Sequence, residues 1–144
     1  AATIRPLLSF HYANDIPVYA TSSVYRGYAN SSFDNDLNGI AFTDAPMVIN
    51  GDPALSDKYR NSPLIRIHAM GMDAFLLSER LDLMAALPQS KVYGATGLLS
   101  VQDKYIVRRT AYAQFQRGQA RSFSLPVETT TETHVETDHQ PIDW

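Results

Sequence analysis

Three sets of residues in this sequence carry atoms that could do chemistry. Asp44, Asp73 and Glu79 are carboxylates of the kind that share acid–base work. Nothing in their spacing holds two of them together: Asp44 closes an apolar run, and Asp73 follows Gly71 by two residues and could cap a helix restart. Thr21-Ser22-Ser23 offers hydroxyls, but no flanking glycines build the sharp elbow that exposes a nucleophilic serine. His11, His68, His134 and His139 share no metal-ligand spacing. His134 and His139 flank Glu136 and Asp138, in a stretch with nothing to orient ligands from behind. Gly94-Ala95-Thr96-Gly97 lacks the Lys-Ser/Thr pair of a phosphate loop and leads into a strand, which reads as a glycine-pinned turn. The absence of cysteine excludes a thiol nucleophile, disulfides and Cys-ligated zinc. These residues assign no catalytic group, no cofactor and no metal, and so direct the reading toward binding.

The elements that position them alternate between helix and strand. Pro6 to Ala13 reads as a short helix, with Pro6 in a first turn where its missing N–H costs nothing. Ile16 to Thr21 reads as a strand, residues 22–32 as a loop, Phe33 to Leu37 as one helical turn stopped by Asn38-Gly39, and Ile40 to Thr43 as a short buried strand. Residues 47–62 could include a helical piece. The strongest helix runs from Pro63 to about Leu87, with Ser62 as N-cap and Pro88 as terminator. Leu64, Ile67, Met70, Ala74, Leu77, Leu81 and Met84 recur on it at helical spacing and predict the buried face. Val92 to Phe115 reads as a hairpin turning at Gln102-Asp103-Lys104, and a second turn at Gln116 to Gln119 leads into a last strand over Ala120–Leu125.

The 144 residues suit one domain, and 44% hydrophobic residues suffice for an ordinary core. Residues 1–125 hold all 12 Lys and Arg and 10 of the 15 acids, a nearly neutral body without the basic block that draws nucleic acid or an anionic membrane. The remaining 5 acids fall in residues 126–144, where Thr and Glu dominate and little could be buried. That composition predicts a lobe over 1–125 and an acidic, Thr-rich, disordered tail over 126–144.

Four stretches also carry a resemblance. They are Asp15-Ile-Pro-Val-Tyr-Ala-Thr-Ser22, Asp36-Leu-Asn-Gly-Ile-Ala-Phe-Thr-Asp-Ala-Pro46, Ile67-His-Ala-Met-Gly-Met-Asp-Ala-Phe75 and Tyr93-Gly-Ala-Thr-Gly-Leu-Leu-Ser-Val101, followed by Arg108-Arg109 and Ala113-Gln-Phe115. In this order they resemble the C-terminal lobe of LppC/LpoA-type lipoproteins over roughly residues 3–120. The resemblance implies an α/β, type I periplasmic binding-protein-like lobe: a mostly parallel sheet flanked by helices, closed by a late antiparallel hairpin. It also implies that this sequence starts part-way into the lobe, after its opening strands and far from the lipid-bearing cysteine.

The function implied is non-enzymatic: an outer-membrane lipoprotein, facing the periplasm of a Gram-negative bacterium, that binds and stimulates a bifunctional penicillin-binding protein in peptidoglycan synthesis. Its only membrane contact would be a lipid anchor outside this sequence. The alternative is a receptor lobe for a small, amino-acid-like solute. In open α/β sheets ligands meet the carboxyl ends of strands. Thr21, Ser22, Ser23 and Asp44 follow such ends and are the expected cleft-facing residues. Tyr25, Arg26 and Tyr28, in the loop after the first strand, are the candidate partner contacts, since aromatics and arginine dominate interface energetics; the competing reading is a loop packed on its own lobe.

Overall fold

A computed structural model describes residues 3–52, 59 and 62–123 of the chain. The predicted acidic tail and the end of the last predicted strand lie outside the described residues, as does most of the segment between 52 and 62.

The fold is mixed α/β and is built on two sheets. Helix α1 (Ile4–Phe10) precedes β1 (Val18–Ala20). A 3-10 turn (Ser22–Val24), helix α2 (Ser31–Asp34) and a second 3-10 turn (Asn35–Leu37) lead to β2 (Ile40–Asp44). Pro46 opens the short helix α3 (Pro46–Asn50), where its fixed φ suits the first turn. The long helix α4 spans Ile65–Ala86. Strands β3 (Lys91–Tyr93), β4 (Leu98–Gln102) and β5 (Tyr105–Arg109) follow, then β6 (Ala111–Gln116) and β7 (Gln119–Ser122).

The larger sheet has the order β1-β2-β6-β7 and the smaller β3-β4-β5. The expected late hairpin is present as β4–β5, but the Val92–Phe115 run divides between the two sheets at Thr110. The expectation of a mostly parallel sheet is corrected: among the described residues only β1 and β2 pair in parallel. The reason lies in the connections. One residue separates β5 from β6, and β7 follows β6 through the two-residue turn Arg117-Gly118. Parallel neighbours need a crossover of a dozen residues or more, so this link dictates an antiparallel pair. Both turn residues have positive φ (52° and 69°), the geometry whose twist matches a hairpin.

β2 is the spine of the larger sheet: Ile40, Ala41, Phe42 and Asp44 are all buried. Phe42 stacks on Phe115 with ring centroids 5.0 Å apart, and Tyr25 leans on both. Leu37, Ile40, Val48, Ile65 and Ala69 complete this core. A second, smaller core holds Met84 of α4 against Leu99 and Val101 of β4, with Leu77 and Val92 at its edge.

α4 begins two residues after the predicted start and ends one before the predicted stop, but its buried face differs from the expected one. Ile65, Ala69, Asp73 and Met84 are buried, with Leu77 half-buried. Leu64, Ile67, Met70 and Leu81 are exposed. Apolar residues occur around most of this helix, so counting them selects the longer stripe, whereas the chain buries the one facing the sheets. Gly71 causes no break: the helix runs through it.

A candidate binding cleft at the strand ends

The carboxyl ends of β1 and β2 lie side by side because the two strands run parallel. Asp44, the last residue of β2, is only 4% exposed, and its carboxylate is fully engaged. Oδ1 accepts the Ala45 N–H at 2.8 Å and the Arg66 Nε–H at 3.1 Å. Oδ2 accepts from Arg66 Nη2 at 2.5 Å. The same Arg66 nitrogen donates to the carbonyls of Ser22 (3.0 Å) and Tyr25 (2.8 Å). One guanidinium in the first turn of α4 thus ties the helix to the end of β2 and to the loop after β1. Two-pronged Arg–carboxylate geometry is the strongest form of such a pair.

Above this ion pair opens a cleft of about 320 Å³. Thr21 and Ser22 reach it from the end of β1, Thr43 and Asp44 from β2, and Arg66 and Met70 from α4. Thr96 closes it from the loop after β3, and Arg108 and Thr110 from the end of β5. A second hollow of about 300 Å³ adjoins it, sharing Met70, Thr96 and Arg108 and adding Asp73, Ala74, Leu77, Leu99 and Ile106.

Thr96 is fixed by Asp73. The Asp73 carboxylate, buried on α4, accepts the backbone N–H groups of Ala95 (2.6 Å) and Thr96 (2.9 Å) and the Thr96 hydroxyl. The loop closes on itself through the Gly94 N–H donating to the Gly97 carbonyl at 2.9 Å. A Cβ at Gly94 would collide with the Asp73 carboxylate, and one at Gly97 with the Arg109 carbonyl. Both glycines are therefore required by close approach. The Ala95 carbonyl then accepts the Met47 N–H at 3.1 Å, which joins the loop to α3.

The sequence profile of the LppC putative lipoprotein family matches residues 1–118. The chain belongs to the LppC family. Over 123 residues it is 35% identical to the penicillin-binding protein activator LpoA of Edwardsiella ictaluri, and over 124 residues 32% identical to that of Erwinia tasmaniensis. These alignments cover 80% and 81% of the chain but only 18% of either relative, so the chain spans less than a fifth of their length. Among solved structures, the LpoA (YraM) C-domain from Haemophilus influenzae, described as a regulator of PBP1A, matches with a TM-score of 0.70 at 26% identity. It covers 85% of this chain and 41% of that one. Full-length Haemophilus influenzae LpoA gives the same TM-score at 25% identity, over 86% of this chain and 24% of that one.

In this LppC-family chain, three of the four residues expected at the cleft line it: Thr21, Ser22 and Asp44. Ser23 does not; it pairs with Thr21 through its hydroxyl at 2.7 Å. Of the expected partner contacts, Tyr25 is corrected to a core residue. It is 7% exposed and packs on Phe42 and Phe115, so the loop turns that aromatic inward. Arg26 is exposed, with its guanidinium 4.5 Å above the Phe33 ring, and Tyr28 is half-buried. Arg66, Thr43, Met70, Thr96, Arg108 and Thr110 were not anticipated as lining residues. Arg66 carried one usable signal: a cation in the mainly apolar first turns of the helix, after a strand that ends in Asp.

Asp44 and Asp73 serve as structural acceptors, and Glu79 lies exposed on α4. Among the described residues no three His, Asp or Glu side chains converge as metal ligands. His68 is half-exposed and meets the Tyr59 ring edge-on at 4.8 Å; His134 and His139 lie outside the described residues. Burial pushes the Tyr25 hydroxyl above its ordinary pKa of 10.0, Asp34 and Asp44 add to the rise, and Arg66 opposes it.

Proposed function

We propose that this chain is part of a non-enzymatic activator that binds and stimulates a bifunctional penicillin-binding protein, acting by protein contact. The supporting observation is the match over four-fifths of the chain to proteins named as penicillin-binding protein activators. An activator of this kind works by differential affinity: it binds the active state of its partner more tightly than the inactive one. A coupling of about 1–3 kcal/mol is enough for a 5- to 150-fold shift. The family's lipoprotein character supports placement at the periplasmic face of the outer membrane, through a lipid anchor carried elsewhere in the longer protein. The parallel β1–β2 pair with its cleft at the strand ends supports a type I periplasmic binding-protein-like lobe.

Arg26 and Tyr28 remain candidate contacts. The outer face of the small sheet adds stronger ones, because the strand register sets Tyr93 and Tyr105 on the face turned away from α4, 86% and 75% exposed. Large amphipathic rings on a rigid sheet are what interface hot spots use. The test adds the purified chain, and in parallel full-length LpoA of Edwardsiella ictaluri, to a bifunctional synthase, and follows binding, glycan polymerisation and crosslinking. The chain should bind, and the double substitution Tyr93→Ala/Tyr105→Ala should weaken binding by about tenfold or more. No binding by the chain, while the full-length relative stimulates the synthase, would remove this reading.

A further inference from the structure

We propose that the cleft at the ends of β1 and β2 binds a small, N-blocked carboxylate: an acid with an apolar body and no free ammonium group. The site lies on the inner side of the small sheet, away from Tyr93 and Tyr105, so this inference does not rest on the synthase contact.

The sign of the ligand follows from the charges that line the cleft. Arg66 is neutralised by Asp44 at 2.5 Å. Arg108, on the β5 face that carries Ile106, has no side-chain hydrogen bond or ion pair among the described residues, and it lines both hollows. The cleft therefore presents one guanidinium without a carboxylate partner, while Asp73, which lines the adjoining hollow, turns its carboxylate to the Ala95 and Thr96 donors. Around Arg108 stand the hydroxyls of Ser22, Thr43 and Thr110, which likewise make no side-chain hydrogen bond among the described residues. A planar guanidinium with neighbouring hydroxyl donors matches the two oxygens of a carboxylate.

The acceptors decide against a zwitterion. An α-ammonium group needs a carboxylate, and the two nearby are occupied. Asp44 already accepts three hydrogen bonds, from Ala45 and twice from Arg66. Asp73 also accepts three, all from Ala95 and Thr96. A free amino acid would bring its ammonium group to carboxylates whose hydrogen-bonding positions are already filled, at a cost in affinity. The apolar body follows from the adjoining hollow, whose Leu77, Leu99 and Ile106 begin where Arg108 and Met70 are shared. Together the two spaces, about 320 and 300 Å³, admit a molecule of one or two residues.

The experiment is calorimetric titration of the 144-residue chain with N-acetylleucine, leucine, N-acetylleucinamide and inorganic phosphate. N-acetylleucine should bind saturably, and leucine and the amide about tenfold more weakly or not at all. Arg108→Gln should lower N-acetylleucine affinity by about tenfold or more, since it removes a charged hydrogen-bonding partner. Arg109→Gln, one residue on and facing the opposite side of the sheet, should bind as the parent does. Thermal melts of both variants check that the fold is kept, as expected for exposed side chains. The inference fails if N-acetylleucine shows no saturable binding, if Arg108→Gln retains parental affinity, or if leucine or phosphate binds as well as N-acetylleucine.

Discussion

Arg66 does more for this fold than any other single polar side chain described. It joins α4, β2 and the loop after β1 through four hydrogen bonds, and its partner Asp44 has almost no access to water. Removing a cation from a buried carboxylate leaves that charge uncompensated, which usually costs 3–5 kcal/mol; the 31% exposure of Arg66 lowers the expected cost of Arg66→Ala to about 2–3 kcal/mol. Urea unfolding measures it. Arg66→Lys should recover little, since one ammonium group cannot span both carboxylate oxygens and two carbonyls. A loss below about 0.5 kcal/mol would show that water replaces the guanidinium without penalty. Tyr25, beside it, adds a pH dependence at the alkaline end. Its hydroxyl is raised above 10.0 chiefly by burial, whereas in the unfolded chain the same phenol ionises at its ordinary value. Its contribution is therefore complete below about pH 10 and is lost as pH rises from there through the folded value, because the unfolded chain sheds a proton that the folded chain keeps. Tyr25→Phe should flatten this alkaline decline in urea midpoints; parallel curves for the two proteins would assign the decline to other groups.

Among the elements, the Asp73 clamp makes the sharpest forecast. Asp73→Ala strands the part-buried Ala95 N–H and the buried Thr96 N–H and hydroxyl and should cost about 2–4 kcal/mol, while Asp73→Asn keeps one acceptor and should cost less. Gly94→Ala drives a methyl group into the same carboxylate and should destabilise similarly, and adding it to Asp73→Ala should cost far less than the two losses summed. Denaturation of the four proteins in one cycle tests this coupling. The clamp also marks what the sequence allows one to read. The ends of α4 were legible because Pro63 and Pro88 bracket it, and β2, β4 and β5 because short apolar runs stand between turn residues. The place of Thr21, Ser22 and Asp44 beside the cleft could be read as well, since Asp44 ends one strand and Thr21 and Ser22 follow another. The pairing of Asp44 with Arg66 and of Asp73 with the 95–96 amides was not, because 22 or 23 residues separate the partners and nothing local couples them. Strand direction was hidden for a related reason: the antiparallel pairing of β6 with β2 joins stretches far apart in the sequence, with nothing local to couple them.

The molecule as a whole exposes an apolar stripe. Ile67 and Met70 on α4 are 64% and 57% exposed, with Leu81 further along, and Ile106 of β5 faces the same side of the small sheet as the buried Leu99 and Val101. Exposed apolar side chains of this kind favour self-association. The chain should sediment as dimers or larger species at high concentration, and Ile67→Glu should return it to monomer without lowering its melting temperature. A parent protein that stays monomeric throughout would show that this stripe is tolerated in water.

The path of α4 across both cores has a further consequence. Its 22 residues extend about 33 Å, with Ile65 and Ala69 set in the core of the larger sheet and Met84 in that of the smaller. Asp73 sits where the helix passes from one to the other. A helix anchored in two unequal cores can lose its hold on the weaker one first, by opening from its far end back toward that residue. Amide protons from about Leu77 onward should then exchange with solvent deuterium through a low-energy opening shared with β3, β4 and β5. Those between Ala69 and Asp73 should exchange only as slowly as β2, so that a single helix displays two protection levels with the step near Asp73.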